Sequence, residues 1–226
     1  MKVAVLGTGM VGQSLADRLA GQGHDVTVGT RDVEATMART AAGSMGNPPM
    51  VEWLRDHPRV TLATFATATA ASELIVNATS GDASVAVLEA AGRENLAGKV
   101  LLDFANPLDY SQGFPPSLFV SNTDSLAEQI QAAFPEARVV KSLNTMNALL
   151  MVDPRQLADA DHTVFVSGND VEAKQVVTGL LRSFGHTDVI DLGDLSTARG
   201  TESLLPVWVR LFGVLGMPTF QFKIVR

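Results

Sequence analysis

Lys2-Val3-Ala4-Val5-Leu6-Gly7-Thr8-Gly9-Met10-Val11-Gly12 lies at the head of the chain. The short apolar run Val3–Leu6 reads as a strand, and it enters a G-x-G-x-x-G loop directly. Val11, Leu15 and Leu19 then recur at helical spacing until Gly21 and Gly23 stop the helix. A second apolar run, Val26–Gly29, follows. Strand, glycine loop, helix and strand in that order form the context in which this motif takes the pyrophosphate of a dinucleotide. Gly7 permits the tight turn, Gly9 lets backbone approach the phosphates, and Gly12 lets helix and strand pack closely. The helix N-terminus adds free N–H groups and a partial positive charge. Gly7, Thr8, Gly9, Met10, Val11 and Gly12 are therefore read as cofactor-binding residues.

The end of the second strand discriminates between cofactors. A site for NAD usually places Asp or Glu there to accept from the ribose 2′-hydroxyl. Here the strand ends Gly29-Thr30-Arg31-Asp32. An Arg31 guanidinium can stack on adenine and pair with a 2′-phosphate, and a Thr30 hydroxyl can donate to it. Asp32 falls late for the ribose role and suits a helix N-cap. The expected cofactor is NADP(H).

Working outward, further apolar runs follow at Val60–Ala63, Leu74–Ala78, Val100–Phe104, Val139–Leu143, Thr163–Ser167 and Asp188–Leu192. Several are apolar at consecutive positions, as in parallel strands covered on both faces. Helices fall between them: Ser125-Leu126-Ala127-Glu128 has capping-box spacing, and Val171–Phe184 is closed by Gly185. The alternation predicts an α/β fold, a Rossmann-like doubly wound, mainly parallel sheet with a small C-terminal lobe. Residues 1–160 are assigned to the nucleotide-binding domain. Residues 161–226 are assigned to a small α/β extension that completes a substrate cleft and supplies a possible dimer interface.

Two stretches read as irregular. Gly43–Pro49 is expected to be a flexible surface loop, and Asn106–Asn122 is either a lid over a ligand or a plain surface excursion. Near the end, Leu204, Trp208, Leu211 and Leu215 form one apolar helix face, while Leu205, Val209 and Phe212 lie on others. A helix apolar nearly all round is expected to be buried, against the sheet or against another subunit.

Composition excludes several classes. With 46% apolar and 18% charged residues in 226, the chain can bury a core. A net charge of −7 with no Lys/Arg-rich run argues against nucleic acid. The absence of cysteine removes disulfides, thiolate zinc sites and cysteine nucleophiles, and fits a cytoplasmic protein. No metal-ligand spacing is present. Val3–Leu6 is too short for the core of a signal peptide, and the apolar stretch from Leu204 to Gly216 is broken by Pro206 and Arg210, so no membrane span is expected.

In an open α/β sheet the ligand lies beyond the carboxyl ends of the strands. Three of those ends are polar: Asn77-Ala78-Thr79, Ala105-Asn106-Pro107 and Asn144-Thr145-Met146. Asn77, Ala78, Thr79, Asn106, Asn144, Thr145 and Met146 are accordingly candidates for contact with the cofactor, the last three on the nicotinamide side. No strand end carries an evident general acid. Tyr110 sits in the long loop, Lys141 lies inside a strand, and His162 and His186 read as structural. Reduction of a carbonyl or imine wants a proton donor beside the carbon that takes hydride. Transfer between two stacked cofactor rings needs mainly distance and orientation. The residues therefore lean towards a flavin-like or deazaflavin acceptor. A reductase of small carbonyls or imines and a non-catalytic NADP-binding sensor remain as alternatives.

With these residues in hand, the chain resembles the NADP oxidoreductases that depend on coenzyme F420, a deazaflavin. The cytosolic domain of the STEAP ferric reductases is a more distant likeness. The resemblance runs nearly full length. It rests on Val5–Gly12, on Val28-Gly29-Thr30-Arg31, on Val139–Met146, and on the tail from Asp191-Leu192-Gly193 through Ala198-Arg199-Gly200 to Phe222-Lys223-Ile224. It implies reversible hydride transfer between NADP(H) and F420 or another flavin-like ring, usually in a homodimer, with the rings meeting between two lobes. Thr8, Thr30 and Arg31 would then contact the 2′-phosphate, and Asn144 to Met146 would lie by the nicotinamide. Archaeal-type members carry one more residue in the glycine loop and a histidine near the place of Asn144.

Overall fold

The computed structural model describes every residue from Met1 to Arg226. The first crossover is β1 (Lys2–Leu6), α1 (Met10–Gly21) and β2 (Asp25–Thr30), as the opening motif predicts. The chain continues through α2 (Val33–Ala38), α3 (Met50–Asp56), β3 (Val60–Thr64), α4 (Phe65–Ala70), β4 (Leu74–Asn77), α5 (Gly81–Ala91), α6 (Arg93–Leu96) and β5 (Val100–Asp103). After a small hairpin, β6 (Leu108–Asp109) with β7 (Ser117–Leu118), come α7 (Leu126–Ala133), β8 (Arg138–Ser142) and α8 (Ala148–Val152). The last third holds β9 (Thr163–Gly168), α9 (Val171–Phe184), β10 (Asp188–Gly193), α10 (Ala198–Ser203) and α11 (Leu205–Leu215).

Eight strands form one sheet in the order β10-β9-β8-β5-β4-β1-β2-β3. All neighbours are parallel except β8 and β9. Strand alternation sends Val3, Val5, Val26, Val28, Leu74 and Val76 to one face, where Leu15, Leu19, Trp53, Leu181 and Phe184 cover them. Ala4, Leu6, Ile75, Leu101 and Val139 go to the other, under Phe65, Leu88, Leu126 and Ile130. Both faces are dry, which is why these strands are apolar at successive positions. The order reverses beside β1: β2 lies on one side of it and β4 on the other. Register pairs Leu6 with both Gly29 and Asn77, so the loops after β1, β2 and β4 leave the sheet at one level.

The structure adds detail to three expectations. Gly43–Pro49 is a largely exposed loop, as expected, and it is tied down by hydrogen bonds. The Gly43 N–H donates to the Asn47 carbonyl at 2.8 Å, and the Gln13 amide donates to the Pro48 carbonyl at 2.9 Å. The excursion Asn106–Asn122 contains the β6–β7 hairpin, with Tyr110, Phe114 and Phe119 exposed on it. Finally, of the two expected ways of covering α11, burial within the chain is only partial: Leu205 and Val209 are enclosed, while Val207, Val214 and Leu215 face outward and leave the second, another subunit, open. Its apolarity is therefore not accounted for within one chain.

His162 and His186 are buried edge to face, with ring centroids 6.1 Å apart. Their Nε2 atoms bond the Pro154 and Met151 carbonyls at 3.2 and 3.0 Å, and neither Nδ1 has a partner. Burial drives the His186 pKa down to about 4, helped by His162 and opposed by the bond to Met151. The unfolded chain takes up this proton near pH 6.5, and the folded chain only near 4. The neutral imidazole thus contributes stability above pH 6.5 that is lost as pH falls to 4. The loss amounts to about 3 kcal/mol from this group. Urea unfolding at pH 7.5 and pH 4 should show it, and His186→Gln should remove that part of the fall.

Candidate functional site

The crevice lies over the carboxyl ends of β1, β2, β4, β5 and β8. At its centre Gly7 holds φ +123° and passes so close to β4 that a Cβ there would sit 2.5 Å from the Ala78 carbonyl oxygen. A Cβ on Gly12 would collide with the Gly7 carbonyl oxygen. A Cβ on Gly9 would meet nothing within 4 Å. Two glycines are thus fixed by the protein's own packing, whereas the third faces open space. Gly9 also heads α1 with no side-chain cap, so the first-turn N–H groups are left for a ligand. Thr8, Met10 and Val11 are half-buried around this opening. The empty space at Gly9 and the uncapped helix fit a pyrophosphate.

Beside the loop lies a cavity of about 230 Å³, lined by Thr8, Gly9, Met10, Thr36, Arg39 and the Gly43–Met50 segment. It sits at the end of β2, where the adenosine end of a dinucleotide would go. Arg31 is exposed there, and Asp32 caps α2 by accepting from the Ala35 N–H at 2.9 Å. Thr30 differs from expectation. It is buried, and its hydroxyl bonds the Thr36 hydroxyl at 2.8 Å rather than opening onto the crevice. Thr36 in turn accepts from the Arg39 guanidinium at 3.2 Å. Arg39, which sequence reasoning missed, is therefore a second cation at this end. No local pattern marked it, because Arg39 lies just beyond α2 and its place depends on where that helix sits. The segment read as a flexible surface loop forms the far wall, held there by Gln13.

At the other end the candidates separate into two groups. Asn77 is fully buried and committed: its Nδ2 donates to Asp103 at 2.7 Å and to Ser84 at 3.1 Å, while its Oδ1 accepts from the Thr79 hydroxyl at 2.6 Å. It shapes the loop from beneath, and Ala78 and Thr79 are the half-buried residues above it. Asn106 and Asn144, from strand ends 38 residues apart, meet directly. Asn144 Nδ2 donates to Asn106 Oδ1 at 2.9 Å and to the Thr201 carbonyl at 3.1 Å, while Asn106 Nδ2 donates to the Asn144 carbonyl at 2.9 Å. Thr145 and Met146 are buried behind them, and Met146 packs into the core.

Under this pair lies a network with no signal in the local sequence. Lys141 is fully buried, with its ammonium 2.8 Å from Asp103 and 2.7 Å from Glu202, and it also donates to the Ala105 carbonyl. Glu202 accepts the Leu126 and Ala127 N–H groups at 2.8 and 3.1 Å, capping α7 from a distant part of the chain. Burial by itself pulls the Lys141 pKa down, but the two carboxylates outweigh it and the ammonium is held above its ordinary value. Above α7, Arg199 forks onto Glu128 at 2.6 and 2.8 Å, and this hydrogen bond holds the Glu128 carboxyl below its usual range. Glu128 was expected to close a capping box on Ser125. The Ser125 hydroxyl does accept the Glu128 N–H at 3.1 Å, but the carboxylate takes Arg199 and the serine hydroxyl instead of the Ser125 N–H. Neither Lys141 nor Tyr110, which is exposed on the hairpin, stands free in the crevice as a proton donor.

An open, mainly parallel sheet with a glycine loop at the point where strand order reverses defines a Rossmann-type, dinucleotide-dependent class of protein. The family described as "NADP oxidoreductase coenzyme F420-dependent" matches residues 2–107. The F420-dependent NADP reductase of Methanothermobacter marburgensis is 30% identical over 215 residues, covering 93% of this chain and 92% of that protein. A crystal structure from Arthrobacter sp. FB24, provisionally named an F420-dependent NADP reductase, is 62% identical over the full length of both chains with a TM-score of 0.95. Metalloreductase STEAP3 of Rattus norvegicus is 32% identical over 212 residues, and the chain spans only 38% of its length. The chain belongs to the F420-dependent NADP reductase family of oxidoreductases.

The glycines make a contrast that can be measured. Gly12→Ala forces a Cβ onto backbone and should lower folding stability by about 2 kcal/mol. Gly9→Ala points into open space and should leave thermal unfolding nearly unchanged. Both should weaken NADPH binding at least about tenfold, a loss of about 1.4 kcal/mol. Calorimetric melting and fluorescence titration on the two variants separate the roles.

Proposed function

We propose that this protein transfers hydride reversibly between NADP(H) and coenzyme F420 or a closely related flavin-like ring. The observation that carries this reading is the crevice at the β1/β4 reversal, with a bare phosphate loop at its centre, Arg39 lining the cavity beside it and Arg31 exposed at the end of β2. Two guanidiniums with no carboxylate accepting from the ribose favour a 2′-phosphate. Bound NADPH would supply a hydride to the acceptor ring, and the residues named below would hold and orient it.

The chain's own residues bind and orient. Gly7 to Gly12 take the pyrophosphate, and Thr8, Arg31 and Arg39 take the 2′-phosphate. Ala78 and Thr79 border the ribose, and Asn144, backed by Asn106, Thr145 and Met146, borders the nicotinamide. Thr30 acts behind Thr36 as support. The lack of a free acid favours an acceptor ring that needs stacking more than protonation by the enzyme. Residues 161–226 would close the acceptor side, and the outward apolar face of α11 suits a homodimer. A cytoplasmic location goes with this reading. No helix is long and apolar enough to cross a membrane.

The test is a panel followed at the nicotinamide absorbance. NADPH should be oxidised by F420, or by FMN or FAD, and not by simple ketones or imines. Turnover with the carbonyl or imine substrates alone would reject the proposal, and tight NADPH binding with no acceptor would indicate a sensor. Arg31→Ala and Arg39→Ala should each weaken NADPH by about ten- to a hundredfold, as for a lost charge-assisted contact. NADH affinity should be little changed.

A further inference from the structure

Lys141 is among the largest fully buried side chains of the protein, and its bonds lead to the nicotinamide end by two routes. It donates to the Ala105 carbonyl, and the next residue is Asn106. It pairs with Glu202, and the preceding residue is Thr201. Asn106 and Thr201 supply the two acceptors that hold Asn144 Nδ2. Both amide hydrogens of Asn144 are thereby used, which fixes the amide against rotation. Asn144 Oδ1 has no hydrogen-bond partner in the protein and is not wholly sealed from solvent, although the residue as a whole is buried.

We propose that Lys141 is a positioning residue: through Ala105 and Glu202 it sets the Asn106–Asn144–Thr201 clamp that turns Asn144 Oδ1 outward to accept the carboxamide N–H of nicotinamide. This rests on reading the crevice as an NADP(H) site. The charge arrangement suits a rigid support. One ammonium faces two carboxylates, Asp103 is further held by Asn77 and the Ala105 N–H, and Glu202 by the α7 N-terminus. A fully satisfied buried network of this kind rigidifies what it touches. Its members come from β4, β5, β8, α7 and α10, so the sheet and the C-terminal helices share one anchor.

A double-mutant cycle tests the claim, because two groups acting through one contact do not add. The neutral variant Asp103→Asn/Lys141→Met/Glu202→Gln removes every charge and leaves no buried ion unpaired. It is compared with Asn144→Ala and with the combination. Two probes are titrated by calorimetry: NADPH, and adenosine 2′,5′-bisphosphate, which carries the 2′-phosphate and no nicotinamide. Asn144→Ala and the neutral variant should each weaken NADPH about fivefold, the worth of one neutral hydrogen bond. The combination should lose no more than either, and the bisphosphate should bind all four proteins within about twofold. Additive losses, or a parallel fall for the bisphosphate, overturn the proposal. If the neutral variant does not fold by circular dichroism, Glu202→Gln alone takes its place in the cycle under the same criteria. Wild-type protein that binds neither probe would refute the nucleotide site itself, and this inference with it. That outcome is distinct from an additive cycle in a protein that binds both.

Discussion

The Lys141 ammonium between Asp103 and Glu202 is the constraint on which the crevice depends. Removing three charges from water is costly unless each is paired and its remaining hydrogen-bonding capacity is used. Here the three satisfy one another, and the excess negative charge is met by Asn77, the Ala105 N–H and the first turn of α7. An ammonium at this point can be tolerated only if β5, α7 and α10 all arrive in one arrangement. The network therefore selects the docking of the C-terminal helices as much as it stabilises it. It also explains why a lysine stands in a strand whose neighbours Val139 and Val140 are fully enclosed.

The phosphate side is organised by a different force. There the determinant is backbone crowding. Parallel register brings β1, β2 and β4 to one level, and Gly7 and Gly12 are the residues small enough to let α1 start where it does. The helix N-terminus is then directed into the opening over Gly9. One end of the crevice is thus built by the absence of side chains and the other by a network of side chains. The Gly43–Met50 segment completes the first end, tied by the Gln13 amide to both the Thr8 and Pro48 carbonyls. A loop rich in Gly and Pro becomes a wall because one buried glutamine satisfies two of its surroundings at once.

Local patterning made most of the architecture legible. Apolar runs of strand length, helical spacing at Val11, Leu15 and Leu19, and a glycine loop between them left few alternatives to a doubly wound sheet. The capping role of Asp32 was equally readable, since it depends on position at a strand end. A hydroxyl at the position of Thr30 can turn either way, and here Thr36, on the following helix, takes it. Arg39 escaped notice because its place at the cavity depends on where α2 lies. For α11, hydrophobicity reported a need for cover but not what meets it.

What the sequence determined by itself was the fold, the phosphate loop, and the strand ends at which a cofactor could lie, because those follow from periodicity and steric rules acting over a few residues. What only the tertiary structure decided was which polar groups at those ends remain free. Asn77 and Asn144 look alike in the sequence, yet one is consumed by Asp103, Ser84 and Thr79, while the other keeps an oxygen unpaired. That difference is set by partners far along the chain, Asn106 and Thr201 for Asn144, and Asp103 and Glu202 for the lysine beneath it. Hydrogen-bond satisfaction in a buried site is a property of the assembled chain, and short-range patterns do not encode it.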